Sequence, residues 1–125
     1  MCMEKIFAFE NLDVYQTARL YVKQVYTISN LFPVKEDFAL TSQIRRAAVS
    51  VTSNIAEGTS RFSPKDKSHF IEIAYGSLME SYSQIQVAVD LGYADEKQME
   101  QIAPLIIELR NRLSALRKSY IADQK

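Results

Sequence analysis

Residues 96–121 read EKQMEQIAPLIIELRNRLSALRKSYI, and their apolar positions recur at alternating spacings of three and four. These positions are Met99, Ile102, Ile106, Leu109, Leu113, Leu116 and Tyr120. The pattern places one apolar stripe along an α-helix and favours near-antiparallel packing against other helices at about 20°. Pro104 cannot donate a hydrogen bond to the carbonyl of Glu100, so we expect a kink within this helix.

Three more segments with helical periodicity precede this one. Chain breaks at Pro33, at residues 58–64 and at Gly92 separate them. The predicted helices span about 12–31, 35–57, 64–91 and 96–121. Expected caps are Asn11 or Asp13 for the first helix, Gly58 at the end of the second, Ser63 for the third, and Asp95 with Gln98 for the fourth.

The composition agrees with an all-α fold. The 125 residues include only three glycines and three prolines, too few for the frequent turns of a sheet protein. Because the connections are short, we predict an antiparallel up-down-up-down four-helix bundle. It forms a single domain at 11–121, with an N-terminal extension at 1–10 and a C-terminal tail at 122–125.

Several classes of function lack the residues they need. A single histidine, His69, and a single cysteine, Cys2, cannot supply a metal site, and no glycine-rich phosphate loop occurs. We therefore expect no catalytic residues, no metal and no cofactor. No apolar stretch is typical of a signal peptide or a membrane span, so a cytoplasmic location and no membrane association are expected.

Fifteen basic residues balance fifteen acidic ones, so any positive surface must be local. One candidate is the end of the fourth helix, where Arg110, Arg112, Arg117 and Lys118 have no acid among them. These cations could simply complement the negative end of the helix dipole. Alternatively, they form a patch that contacts phosphates without reading sequence.

A second candidate lies on the second helix and continues to Arg61. Arg46, Ser50, Ser53, Glu57 and Arg61 recur at helical spacing opposite the core stripe. The row is a solvated face, a subunit interface or a phosphate-binding row, and its small side chains favour an interface over an ordinary solvent face. The seven tyrosines and six phenylalanines could stack single-stranded bases, but in helical stripes such residues more often belong to a core or an interface.

Residues 42–58 read SQIRRAAVSVTSNIAEG and are followed by Arg61, by Ala74 and by Gly76-Ser77-Leu78. This combination resembles the bacterial family of four-helix-bundle proteins encoded in 23S rRNA intervening sequences. That family includes the accessory variability determinant of diversity-generating retroelements. The resemblance extends from about Phe9 to Tyr120, with departures at Ala39, at Ser81-Tyr82 and at Pro104.

The resemblance implies a homopentameric barrel with a central channel, a nucleic-acid-binding role and, in the retroelement branch, association with a reverse transcriptase. The positions that match the family motif are Gln43, Arg45, Arg46, Asn54, Glu57, Gly58 and Arg61. Their first expected role is packing between subunits.

The resulting hypothesis is a non-catalytic homo-oligomer that binds RNA or DNA. The predicted phosphate contacts are Arg45, Arg46, Arg61, Arg110, Arg112, Arg117 and Lys118. The predicted oligomer interface comprises Gln43, Ser50, Ser53, Asn54 and Glu57. The alternative is an adaptor that docks a partner enzyme, such as a reverse transcriptase, without touching nucleic acid, and the neutral net charge favours it slightly.

Overall fold

A computed structural model describes residues 5–124 of the chain. Four α-helices account for most of it: α1 Asp13–Ser29, α2 Leu40–Thr59, α3 Pro64–Asp90 and α4 Glu96–Ala122. Short 3-10 helices at Ala8–Asn11 and Val34–Glu36 precede α1 and α2, and residues 5–124 contain no β-strand. The predicted all-α class is confirmed.

Packing between consecutive helices closes the bundle. Each of α1, α2 and α3 contacts the next helix, and α1 also contacts α4. Adjacent helices are antiparallel because their connections are short. The α2–α3 connection therefore lies at the same end of the bundle as the last turns of α4. The 3-10 helix at Ala8–Asn11 packs against α1 and α2, whereas residues 1–4, including Cys2, and residue 125 fall outside the described range.

Helix ends agree with the sequence prediction in part. The Ser63 hydroxyl accepts a hydrogen bond from the Asp66 N–H at 3.1 Å. Asp95 and Gln98 form the expected reciprocal capping box, with bonds of 2.8 and 2.9 Å. Gly92 follows α3 with a φ of 77°, a conformation that a glycine adopts at little cost.

The predicted cap of α1 and the predicted start of α2 are wrong. Neither Asn11 nor Asp13 caps α1; the N-cap is Leu12, whose side chain packs against the core instead of binding a backbone N–H. Helix α2 begins at Leu40 rather than at residue 35. Residues 34–36 form a separate 3-10 turn, and Ala39, with φ −128° and ψ −108°, interrupts the helical path.

The role predicted for Gly58 is also wrong. Gly58 is buried inside α2, which continues to Thr59, and its φ is not positive. A Cβ atom placed on it would lie 2.8 Å from the Cβ of Phe70 and 3.3 Å from the carbonyl oxygen of Lys67. Glycine is therefore required by the close approach of α3 rather than by the end of α2.

The predicted apolar stripes meet in one core. Its fully buried large side chains are Tyr21, Val25, Ile44, Val51, Ile55, Ile71, Leu78, Ile85, Ile102, Leu109 and Leu113. Burying one such side chain contributes about 1.5–3 kcal/mol. Helix α4 runs through Pro104 without ending. None of the helices described is both long enough and apolar enough to cross a membrane.

Candidate nucleic-acid interface

Basic side chains concentrate around the start of α3 and along the second half of α4. Residues 59–70 and 110–122 together contain seven basic residues and one acidic residue, Asp66. The basic residues are Arg61, Lys65, Lys67, Arg110, Arg112, Arg117 and Lys118. The two segments touch where the Lys67 ammonium lies 5.4 Å from the centre of the Tyr120 ring. We call this surface, residues 59–70 with 110–122, the basic end.

The opposite end of the same helix pair is acidic. Asp90, Asp95, Glu96 and Glu100 surround the α3–α4 connection, with Lys97 as the one basic residue between positions 86 and 100. A chain with no net charge is thus polarised along the bundle axis. The electrostatic potential near the basic end is therefore more positive than it would be over a surface with evenly mixed charges.

Acids from neighbouring elements partly neutralise three arginines of the basic end. Arg112 lies 3.0 Å from Glu108 and 3.5 Å from Asp13. The remaining pairs are Arg117 with Glu72 at 2.6 Å and Arg61 with Glu57 at 3.4 Å. All of these side chains are more than 40% exposed, so each pair contributes about 1 kcal/mol or less and can exchange for a phosphate.

The lysines of the basic end are less constrained. Among residues 5–124, no carboxylate lies within 4.0 Å of Lys65, Lys67 or Lys118. The Lys67 ammonium donates to the carbonyl of Thr59, the last residue of α2, at 2.9 Å. It also lies 5.4 Å from the centre of the Tyr120 ring on α4. Lys65 and Lys118 are exposed, which leaves two ammonium groups available to a phosphate.

Arg45 and Arg46 are not brought to the basic end. They lie near the start of α2, in the other half of the bundle. The Arg45 guanidinium donates to Ser29 Oγ and to Asn30 Oδ1, each at 2.8 Å, and lies 4.5 Å from the Tyr26 ring centre. These contacts fasten the end of α1 to α2. Arg46 is exposed, and among the described residues it forms no ion pair.

Ser50 and Asn54 of α2 face α3 within the subunit. Ser50 Oγ and Ser77 Oγ are 2.8 Å apart, and the Asn54 amide donates to the Ser50 carbonyl at 2.8 Å and to Ser50 Oγ at 2.9 Å. This network explains part of the small-residue pattern by close packing of α2 against α3. Gln43, Ser53 and Glu57 remain exposed, and their predicted role between subunits stays a prediction.

Two residues, one in the α2–α3 connection and one in the first turn of α3, were missed by the sequence analysis. They are Phe62, whose side chain has a relative exposure of 101%, and Lys65. Their location in or directly after a chain break between two helices was the available signal, because connections lie on the surface. Apolar periodicity, which located the other candidates, carries no information there.

Within residues 5–124, the single histidine does not belong to a group of side chains that could hold a metal ion. His69 is exposed on α3, with its ring 5.8 Å from that of Phe70. Across residues 5–124, no group of three His, Cys, Asp or Glu side chains could hold a metal ion.

Comparison with known proteins places the chain in a family. The family model described as 23S rRNA-intervening sequence protein matches residues 10–115, which is most of the chain and all four helices apart from the last turns of α4. The chain belongs to this family. The match includes five of the seven basic residues of the basic end, with Arg117 and Lys118 just beyond it.

A solved structure supports the same bundle for this 23S rRNA-intervening sequence protein. A protein of unknown function from the S23 ribosomal protein family of Bacteroides thetaiotaomicron superposes with a TM-score of 0.77 at 20% sequence identity. The match covers 84% of this chain and 98% of the other. At this identity the likeness concerns the fold alone. No curated protein matches the chain.

Proposed function

We propose that this 23S rRNA-intervening sequence protein is a non-catalytic, oligomeric accessory protein that binds RNA or DNA through its basic end. The observation that carries the proposal is the convergence of seven basic residues from the α2–α3 connection, α3 and α4 toward one end of a neutral bundle, in two segments that contain a single acidic residue. Family membership agrees with a role near nucleic acid but does not specify one.

The exposed cations of the basic end are suited to contact with phosphate groups. Lys65 and Lys118 are exposed and present compact ammonium charges. Arg61, Arg112 and Arg117 each pair with an exposed carboxylate, which a phosphate oxygen can replace. Such contacts position a nucleic acid without reading its sequence. Each neutralised phosphate releases counterions, so affinity should fall steeply with salt.

Oligomerisation would strengthen the attraction of the basic end for phosphates. Large apolar side chains such as Leu20, Leu31, Val34 and Ile107 are 49–82% exposed, and contact with neighbouring copies would remove this apolar surface from water. In a homopentamer, cyclic symmetry places five basic ends on the same face of the ring. Light scattering tests this: the expected mass is five times the 14.3 kDa of one chain. A particle of one chain mass at micromolar concentration would contradict the assembly.

Charge reversal with a matched control tests nucleic-acid binding. The variant Lys65→Glu with Lys118→Glu changes the basic end, and Lys35→Glu with Lys97→Glu makes the same net change near the acidic end. Anisotropy titration of fluorescent RNA and DNA at low salt should show weak binding for the first variant and nearly unchanged binding for the second. Equal losses in both, or no binding by the wild-type protein, would reject the proposal.

The alternative is an adaptor that docks a partner enzyme such as a reverse transcriptase. It is favoured by the carboxylates that already pair with Arg61, Arg112 and Arg117. Pull-down from the native host with and without nuclease separates the two functions. A partner that stays bound after nuclease treatment supports the adaptor.

A further inference from the structure

Phe62 is an apolar side chain in full contact with solvent at the basic end. Its relative exposure is 101%, and among residues 5–124 no aromatic ring or cation packs on it. The neighbouring Arg61 turns away, with its guanidinium 4.4 Å from the centre of the Phe70 ring. Both faces of the Phe62 ring are therefore open.

The short connection that carries Phe62 is held at both sides. The N–H groups of Ser60 and Arg61 donate to the carbonyls of Glu57 and Gly58, each at 3.2 Å. On the other side, Ser63 caps α3 through its bond to the Asp66 N–H. Few backbone torsions remain free between these anchors, so the ring is displayed at a defined place at the end of the bundle.

Cations flank the ring along the chain. Arg61 precedes it, and Lys65, which has no carboxylate within 4.0 Å among the described residues, follows three positions later. An open aromatic face beside positive charge is the combination that proteins use to hold single-stranded nucleic acid, because the base stacks while the phosphate is neutralised. A paired base in a duplex offers no free face to such a ring.

From this arrangement we propose that Phe62 stacks an unpaired base of a single-stranded nucleic acid whose phosphates lie against Lys65 and the other cations of the basic end. The inference rests on the proposed function and narrows it to single strands. Phe62 makes the contact to the base, and the lysines make the contacts to the backbone.

Phe38 provides a matched control within the same chain. Its side chain is 100% exposed, and it lies in the α1–α2 connection at the opposite end of the bundle, next to Asp37. A base carries a phosphate backbone with it, and that backbone is repelled by carboxylates. Stacking on Phe38 should accordingly be absent.

The chain contains no tryptophan, so Phe62→Trp and Phe38→Trp each introduce a single fluorescent indole. Each variant is titrated with a uridine and a thymidine oligonucleotide of about 20 nucleotides, longer than one site of about 4–16. Saturable quenching is expected in Phe62→Trp and none in Phe38→Trp, with a duplex of equal length giving little effect. Quenching by only one oligonucleotide would identify RNA or DNA as the ligand.

Binding of a labelled oligonucleotide gives a second measurement. Phe62→Ala should bind at least about fivefold more weakly than Phe38→Ala, the lower end of the cost of losing one base–aromatic stack. If the wild-type protein binds but Phe62→Trp shows no quenching and Phe62→Ala no loss, base stacking fails and the proposed function stands. If the wild-type protein binds nothing, both fail.

The alternative partner for the exposed Phe62 ring is a second copy of the chain. Its signature would be a Phe62→Trp emission that shifts on dilution without nucleic acid, together with a smaller particle for Phe62→Ala in light scattering. That result would overturn the stacking proposal and assign Phe62 to a subunit contact.

Discussion

The Tyr21 Oη and Ser81 Oγ atoms are 2.6 Å apart at the centre of the bundle, and both residues have a relative exposure of 0%. Their helices, α1 and α3, lie diagonally across the bundle rather than side by side. The Ser81 hydroxyl donates its proton to the Leu78 carbonyl at 2.8 Å, so Tyr21 is the donor to Ser81. Two polar groups are thereby paired in an apolar core.

Replacing Ser81 by alanine should destabilise the protein by about 1–3 kcal/mol, because the buried Tyr21 hydroxyl would lose its acceptor. Adding Tyr21→Phe should recover part of this loss, since the orphaned hydroxyl is then removed. Urea denaturation of the two single variants and the double variant forms the test. Strictly additive losses would show that the two hydroxyls do not interact.

Burial raises the pKa of Tyr21 from 10.0 to about 12. Because Tyr21 ionises first in the unfolded chain, its contribution to the free energy of unfolding should be constant well below pH 10 and fall as the pH rises from 10 to 12. The full loss is roughly 3 kcal/mol. Denaturant titrations across this range check the fall, which should be smaller in Tyr21→Phe. An equal fall in both proteins would mean that Tyr21 is not its source.

Gly58 and Gly76 give a paired prediction with opposite signs. Gly58→Ala should cost about 1–3 kcal/mol, because the new Cβ would approach the Phe70 Cβ to 2.8 Å and force α2 and α3 apart. Gly76→Ala should stabilise the protein by up to about 1 kcal/mol, since no atom lies within 4 Å of the added Cβ and alanine favours the helix. Thermal unfolding of both variants measures the difference. A stable Gly58→Ala variant would contradict the close approach.

Removing an acid beside the basic end should strengthen nucleic-acid binding. Glu72→Gln deletes the charge that pairs with Arg117 at 2.6 Å, and it should increase both the affinity and its salt dependence. Because the pair is exposed, the free energy of unfolding should change by less than about 1 kcal/mol. Glu100→Gln makes the same charge change at the acidic end and serves as the control. Equal gains in the two variants would argue for a general charge effect.

Much of the fold could be predicted from the sequence because the apolar stripes repeat with the helical period. The stripe from Ile102 to Leu113 was placed correctly, as were the caps at Ser63 and Asp95. The predictions that were wrong concern residues that can play either of two structural roles. Gly58 looked like a helix end, and Leu12 took the position expected for a polar cap.

The candidate site was predictable only in part. Arg110, Arg112, Arg117 and Lys118 were visible as a cationic run on α4. Their partners Asp13 and Glu72 are 99 and 45 positions away from Arg112 and Arg117, so no local pattern could reveal the ion pairs. Phe62 was equally hidden, because exposure in a connection has no periodicity.

The sequence by itself determined four amphipathic helices, most of their ends and the absence of net charge, because each of these depends on residue type and on spacing within one segment. Only the tertiary structure decided that Ser81 accepts from Tyr21, that Gly58 lies against Phe70, and that the cations of α3 and α4 share one end. Periodicity records which side of a helix is apolar. Which residues of another helix meet that side, and at what distance, depends on how all four pack together.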